Sequence, residues 1–413
     1  MDIKVRRPSV PQPRPQTQSE SAADKDEPKT APFIDPTPAK PAFQDDPPPE
    51  PKSTKSKRKF HLWPTKWSKK KKRIFTGLLL VVIIALIAGG YYYYQQTHKP
   101  KAEVKAVVVK EEPPKPTTEA SRLTGLQISP QDNQRAVTGV MIENSPDARP
   151  QAGLADAGVV YEAVAEGGIT RFLALYMEGR PAKIGPIRSS RPYYLDWLMP
   201  YDASYAHVGG SPDALAQIRS IGIKDLDQFY NSAAYERSSQ RYAPHNVYSS
   251  IDKLYDLAQN KGYKTSTFTS WPRKDVETAS ATPNATSIDL AISSYLYNAH
   301  YDYDRGTNSY KRSEGGKPHI DENSNAQLTP KVVVALVMPS GIAADGTHTD
   351  YTTVGSGPMS VFQDGVVIGG TWKKESRTAQ FTFTDGAGQP LKLNPGQTWV
   401  SIVNTAGSIT YKP

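Results

Sequence analysis

The stretch IFTGLLLVVIIALIAGGYYYY (74–94) decides how every other part of the chain is read. It carries no charge and no proline. At about 1.5 Å rise per residue, roughly twenty such residues cross the ~30 Å hydrocarbon core of a bilayer. Within that core a helix satisfies its own backbone hydrogen bonds. The alternative is a buried helix of a soluble core, but such a helix normally keeps one polar face. This run is apolar all round. Tyr91, Tyr92, Tyr93 and Tyr94 stand where an interfacial aromatic belt would stand. The expectation is a transmembrane helix.

The flanks set its orientation. Lys55, Lys57, Arg58, Lys59 and Lys66 precede it, followed by Lys69, Lys70, Lys71, Lys72 and Arg73, with no acid between Pro51 and Arg73. Beyond the span, Lys99, Lys101 and Lys105 are diluted by Glu103, Glu111 and Glu112. The positive-inside rule then predicts a cytoplasmic N-terminus and an extracytoplasmic C-terminal part. A cleaved signal peptide would need a short charged start and a small-residue cleavage site. The long lead-in and the trailing tyrosines fit an uncleaved signal anchor in a cell membrane better.

Split at the membrane, the formal charge of +9 loses its suggestion of nucleic acid. Residues 1–120 hold 23 Lys and Arg against 13 Asp and Glu, a surplus of ten; residues 121–413 hold 27 against 28. A near-neutral outer part offers no electrostatic case for DNA or RNA. The juxtamembrane lysines suit anionic lipid instead. There is no cysteine, which excludes disulfides, thiolate metal sites, a cysteine nucleophile and a lipid-modified cysteine. About 290 residues outside can still bury a core without disulfide staples.

Residues 1–73 read as a Pro- and Lys-rich cytoplasmic tail, disordered because large aliphatics are nearly absent. Pro8-x-x-Pro11 would permit a polyproline-binding partner, although a passive tail is the better explanation. Residues 95–123 read as a stalk. Folded structure begins near residue 124. Strands are expected at 137–142, 158–164 and 170–176, with another starting at 183–187. Helices are expected at 212–220 and 250–262, the second capped by Ser250 and ended by Gly262. The polar, turn-rich stretch 268–287 reads as a linker. Beyond it, 288–297 and 299–304 read as a strand pair and 331–338 (KVVVALVM) as a buried strand. Gln363-Asp364-Gly365 reads as a hairpin turn, and further strands fall at 380–384 and 399–403. The fold class expected is α+β: a mixed α/β domain over 124–267 and a β-rich domain over 288–413, behind one transmembrane helix and a disordered tail.

The densest polar cluster lies between Asn144 and Arg191. Strand alternation in VYEAVAE (160–166) points Glu162 and Glu166 to one face, and Gly167-Gly168 then breaks the strand. Arg171 opens the next strand, and Arg188 and Arg191 flank two serines. Arginine favours planar bidentate partners, carboxylate or phosphate. The plain reading is an internal Glu–Arg network that fixes loops. The sharper ones are an anion-binding pocket or a catalytic carboxylate pair. His207 and His245 would serve as acid or base, yet a histidine beside glycine or proline is more often a hydrogen-bonded structural residue. Ser189, Ser190 and Ser211 lack a Gly-x-Ser-x-Gly elbow. No His-Glu-x-x-His, P-loop or Gly-x-Gly-x-x-Gly occurs, so neither metal nor cofactor is expected. Asp302-x-Asp304 with Gly306 is too incomplete for a calcium loop and reads as a hairpin end.

At these residues the chain resembles the YerB-like lipoprotein family, a bacterial two-part domain of unknown function from the cell envelope. The matching stretches are MIENSPDARPQAGLADAGVVYEAVAEGGITRFLALY, IGPIRSSRPYYLDW, YDASYAHVGGSP and APHNVY. In the second part they are YDYDRGTNSYKRSEGGKPHID, VVIGGTWKK and LNPGQTWVSIV. The resemblance runs from about residue 124 to the C-terminus, with one break near 268–287. It implies a membrane-attached extracytoplasmic domain and assigns no catalytic residue. Lipoprotein members anchor through a lipidated cysteine; here the helix at 74–94 would take over that task.

Three functions follow as expectations. The first is binding of an envelope polymer or a membrane protein partner in a pocket lined by Glu162, Glu166, Arg171, Arg188, Arg191, His207 and His245. The second is a cell-wall hydrolase using Glu162 or Glu166 with His207 or His245. The third is a structural scaffold whose Glu–Arg pairs are buried.

Overall fold

The computed structural model describes residues 68–98 and 117–413; residues 1–67 of the tail expected over 1–73 and most of the stalk lie outside them, and the tail's last residues, from Lys69 on, belong to a helix instead. The chain divides into two units between Val107 and Val108. In the first, the apolar run lies within helix Lys69–Thr97. Its stretch Arg73–Thr97 contains an 18-residue window with a mean hydropathy of 2.5, enough by length and composition to cross a membrane. The run extends past the apolar residues because nothing there breaks a helix, and the Tyr94 ring stacks on His98 at 4.1 Å.

The second unit is built on one ten-stranded sheet. Strands Thr382–Asp385, Val366–Lys374, Gly355–Gln363, Val332–Val337 and Thr398–Val403 form one side. Strands Val159–Glu166, Ile169–Tyr176, Thr138–Glu143, Ser204–Ala206 and Lys224–Asp225 continue it. The sheet therefore takes strands from both sides of the 268–287 stretch. The join is parallel pairing of Thr398–Val403 with Val159–Glu166, which sets Ser401 opposite Glu162. Strand Val332–Val337 is buried at every residue. An unbroken apolar run is what a strand covered on both faces requires.

On one face, Tyr161, Leu173, Val334 and Ile402 pack with Tyr194 and Trp197 of helix Pro192–Leu198. The other face presents Val160, Phe172, Val333 and Trp399. Leu290, Tyr301 and Tyr310 pack there from a five-stranded sheet, together with helix Ile251–Asn260. Each such large apolar side chain contributes about 1.5–3 kcal/mol when fully withdrawn from water.

Local signals hold where they are self-contained. Ser250 accepts from the Lys253 amide and Ser211 from the Ala214 amide, so both helices start at their caps. Asp364 (φ 58°) and Gly365 (φ 76°) give the left-handed pair that a two-residue hairpin needs. Three expectations change. Residues 183–187 form no strand and make only isolated bridges, Ile184 to Ser249, Gly185 to Ala152 and Ile187 to Ile142. The strand expected over 288–297 is Ser287–Leu290, followed by a 3-10 turn at Tyr295–Tyr297. Helix Pro192–Leu198, too short for a periodic pattern, is not anticipated at all.

Candidate binding cleft

Glu162 and Glu166 do not share a face. The register between strands Val159–Glu166 and Ile169–Tyr176 shifts between Val164 and Glu166. A bulge inserts one residue and reverses the direction of every side chain beyond it. Glu162 consequently enters the layer between the two sheets, fully buried. Its Oε1 accepts from Arg312 Nη2 (2.8 Å), and its Oε2 accepts from Trp399 Nε1 (2.9 Å) and Ser401 Oγ (3.1 Å). The Arg312 guanidinium lies 4.5 Å over the Trp399 ring. Arg312 Nε donates to His319 Nδ1 (3.1 Å), so His319 Nε2 is left to donate to Gln151 Oε1 (2.9 Å). Burial, then the nearby guanidiniums, hold His319 well below its usual range and keep it neutral. Glu314, paired with Arg149 at 3.4 Å, is pushed up to about 7, because burial outweighs the attraction of Arg312.

Glu166 instead turns to the opposite face and binds two arginines. Arg191 donates to its Oε2 through Nε (3.0 Å) and Nη2 (2.7 Å), and Arg171 pairs with its Oε1. The spare nitrogens tie down the neighbouring loop: Arg171 donates to the Ser189 carbonyl (3.2 Å) and Arg191 to the Ser190 carbonyl (2.6 Å). This knot fixes the backbone next to Arg188.

His207 is fully buried. Its Nδ1 meets the Gly209 carbonyl at 2.8 Å and its Nε2 meets Asp225 Oδ1 at 3.0 Å. Both nitrogens therefore face acceptors. Burial raises the Asp225 carboxyl, but the His207 hydrogen bond and charge bring it below its ordinary value. His245 Nδ1 lies 2.9 Å from Glu143 Oε2, and Arg188 Nε lies 3.3 Å from Glu143 Oε1. Glu143 thus joins two of the residues singled out in the sequence.

These groups border one cleft of about 570 Å³, walled by Arg188 and floored by Gly209 and Gly210. Asp225 and Asp227 line it, with Arg219, Arg237, Phe229 and Tyr230. Of the seven candidates, Arg188 lines the cleft directly and His207 backs it through Asp225. Glu166, Arg171 and Arg191 brace its wall. His245 sits behind Arg188. Glu162 belongs to the buried network instead, and both its oxygens are occupied, so Glu162 and Glu166 do not form a carboxylate pair.

Sequence reasoning overlooked Glu143, Asp225 and Asp227 on the cleft side, and Arg312, Glu314 and His319 in the network. Tyr310, Arg312 and Glu314 alternate along strand Ser309–Glu314 and are all buried. That alternation is the available signal. Among the described residues no group of three or more His, Cys, Asp or Glu is arranged to hold a metal ion.

Residues 123–264 match the N-terminal domain, and residues 288–400 the C-terminal domain, of the family described as protein of unknown function DUF3048. The chain is 31% identical over 285 residues to "Putative lipoprotein YerB" of Bacillus subtilis (strain 168), covering 68% of this chain and 85% of that protein. The crystal structure of YerB protein from Bacillus subtilis superposes with a TM-score of 0.65 at 28% identity, over 71% of this chain and 99% of that one. An apolar helix of spanning length together with a lipoprotein relative points to membrane association. The two matches fall on either side of 268–287, in the order that the quoted motifs predict, and the chain belongs to the YerB-like DUF3048 family.

Proposed function

We propose that the chain is a single-pass membrane protein, N-terminus in the cytoplasm, whose outer unit binds a component of the cell envelope in the Arg188 cleft. The observation that carries the reading is the cleft itself. Arg188, Arg219 and Arg237 surround an open space of about 570 Å³, within the range of sites for small or extended ligands. The Glu166–Arg171–Arg191 knot supports it, because a fixed wall lowers the ordering cost of binding. Orientation rests on the basic flank before the span. A lipoprotein relative is compatible with it, since lipid attachment and a helical anchor both hold a domain at a membrane surface.

Two measurements test the reading. Protease added to intact cells should digest 117–413 and spare the N-terminal tail; digestion of the outer unit only in inside-out vesicles refutes the orientation. The full chain in nanodiscs should co-sediment with isolated envelope material, and Arg188→Ala should weaken this by about tenfold, as expected for loss of a charge-assisted contact. Equal binding by the variant refutes the cleft.

A further inference from the structure

The cleft carries more chemistry than an anion hole needs. Phe229 is 68% exposed and Tyr230 80% exposed at its mouth, although the fold buries most of its other large aromatics. They are not stray surface residues. Asp227, only 3% exposed, accepts the backbone N–H groups of both Gly209 (2.9 Å) and Phe229 (3.3 Å). One buried carboxylate thereby ties the floor to the aromatic loop. Gly209 sits at φ +60°, and a Cβ there would come within 3.0 Å of the Phe229 ring. The ring lies close against the glycine backbone.

The polar groups that remain open are equally specific. The Arg219 guanidinium makes no hydrogen bond or ion pair among the described residues. Arg237 uses one Nη1 donor on Asn246 Oδ1 (2.9 Å). Arg188 Nε lies 3.3 Å from Glu143 Oε1 as an ion pair, and makes no hydrogen bond. A guanidinium has five N–H donors, so most of theirs stay available. Asp225 engages His207 and the Asp227 amide through Oδ1, which leaves Oδ2 as an acceptor. The cleft thus combines exposed aromatic faces, a carboxylate acceptor and an excess of cationic donors. A pyranose ring matches the first two: its C–H face stacks on an aromatic, and its hydroxyls donate to carboxylates. The arginines call for an anionic substituent, carboxylate or phosphate. The volume suits a chain of sugar rings and is narrow for a folded partner, which would need roughly 800 Å² of surface.

We propose that the Arg188 cleft binds an anionic polysaccharide, with a sugar ring stacked on Phe229 or Tyr230, a hydroxyl donating to Asp225, and the anionic group held by Arg188, Arg219 and Arg237. This rests on the reading of the cleft as an envelope-binding site and adds the class of ligand.

The test uses the full chain in nanodiscs and isolated envelope material in three states: untreated, digested with protease, and oxidised with periodate, which cleaves sugar vicinal diols. Binding should survive protease and disappear after periodate. Phe229→Ala and Tyr230→Ala should each weaken it by roughly five- to tenfold. Arg219→Ala with Arg237→Ala should weaken it about tenfold at about 50 mM salt and little at about 500 mM, where exposed charges are screened. Binding that survives periodate but not protease means a protein partner and overturns the proposal, as does full binding by both aromatic variants. Failure of the wild-type chain to sediment with untreated material overturns the underlying reading instead.

Discussion

The buried Glu162–Arg312–Glu314–His319 network and the Arg188 cleft are made of the same residue types and do opposite things. In the network Arg312 and Glu162 are wholly withdrawn from water and every strong donor is spent inside the protein. In the cleft the guanidiniums are exposed or half-buried, and most of their donors are unspent. The network joins strand Ser309–Glu314 to Val159–Glu166 and Thr398–Val403. It therefore stitches together parts of the chain that the family divides into two domains. Exposure, not residue identity, separates a charge that holds a fold from one that can meet a ligand.

The comparison breaks most readily at Arg312. Removing one member of a buried ion pair strands its partner and costs about 3–5 kcal/mol. Arg312→Ala should lower the thermal midpoint of the second unit by many degrees; an unchanged melting curve would mean that the network is not the seam described. Glu166→Ala comes next. Glu166 is a quarter exposed, so solvent moderates the loss, and about 1–2 kcal/mol is expected. Because Arg171 and Arg191 would release the Ser189 and Ser190 carbonyls, envelope binding should weaken as well.

A smaller effect is visible only against pH. Glu314 sits at about 7 in the fold against an ordinary 4.5, so the folded state holds its proton more tightly than the unfolded state. Its contribution is complete below about 4.5 and is lost as pH rises toward 7. His319 acts the other way: it is held neutral, so the fold loses stability as pH drops below about 6.5. Glu314→Gln should therefore leave a protein whose stability declines more steeply on acidification than that of the wild type, read by denaturant titration between about pH 5 and 7. Parallel pH profiles would contradict the assignment. The smallest effect belongs to the cleft: Arg219→Ala and Phe229→Ala should shift folding stability by no more than about 0.5 kcal/mol, as for exposed positions generally. A larger loss would move these residues to the structural side of the comparison.

The sequence by itself determined whatever a short stretch can settle alone. Residues 74–94 are apolar all round, so helix is the state that satisfies their backbone in lipid. KVVVALVM has no polar face and becomes an interior strand. Ser211 and Ser250 cap their helices, and Asp364-Gly365 supplies the positive φ pair of its turn. Only the tertiary structure decided where the charges went. Glu162 and Glu166 are four residues apart, yet the bulge between Val164 and Glu166 sends them to opposite faces. Glu162 finds its partner 150 residues downstream at Arg312, and Asp227 ties the Gly209 loop to Phe229. Side-chain direction in a strand depends on register, and register is fixed by the neighbouring strand, which local sequence does not name.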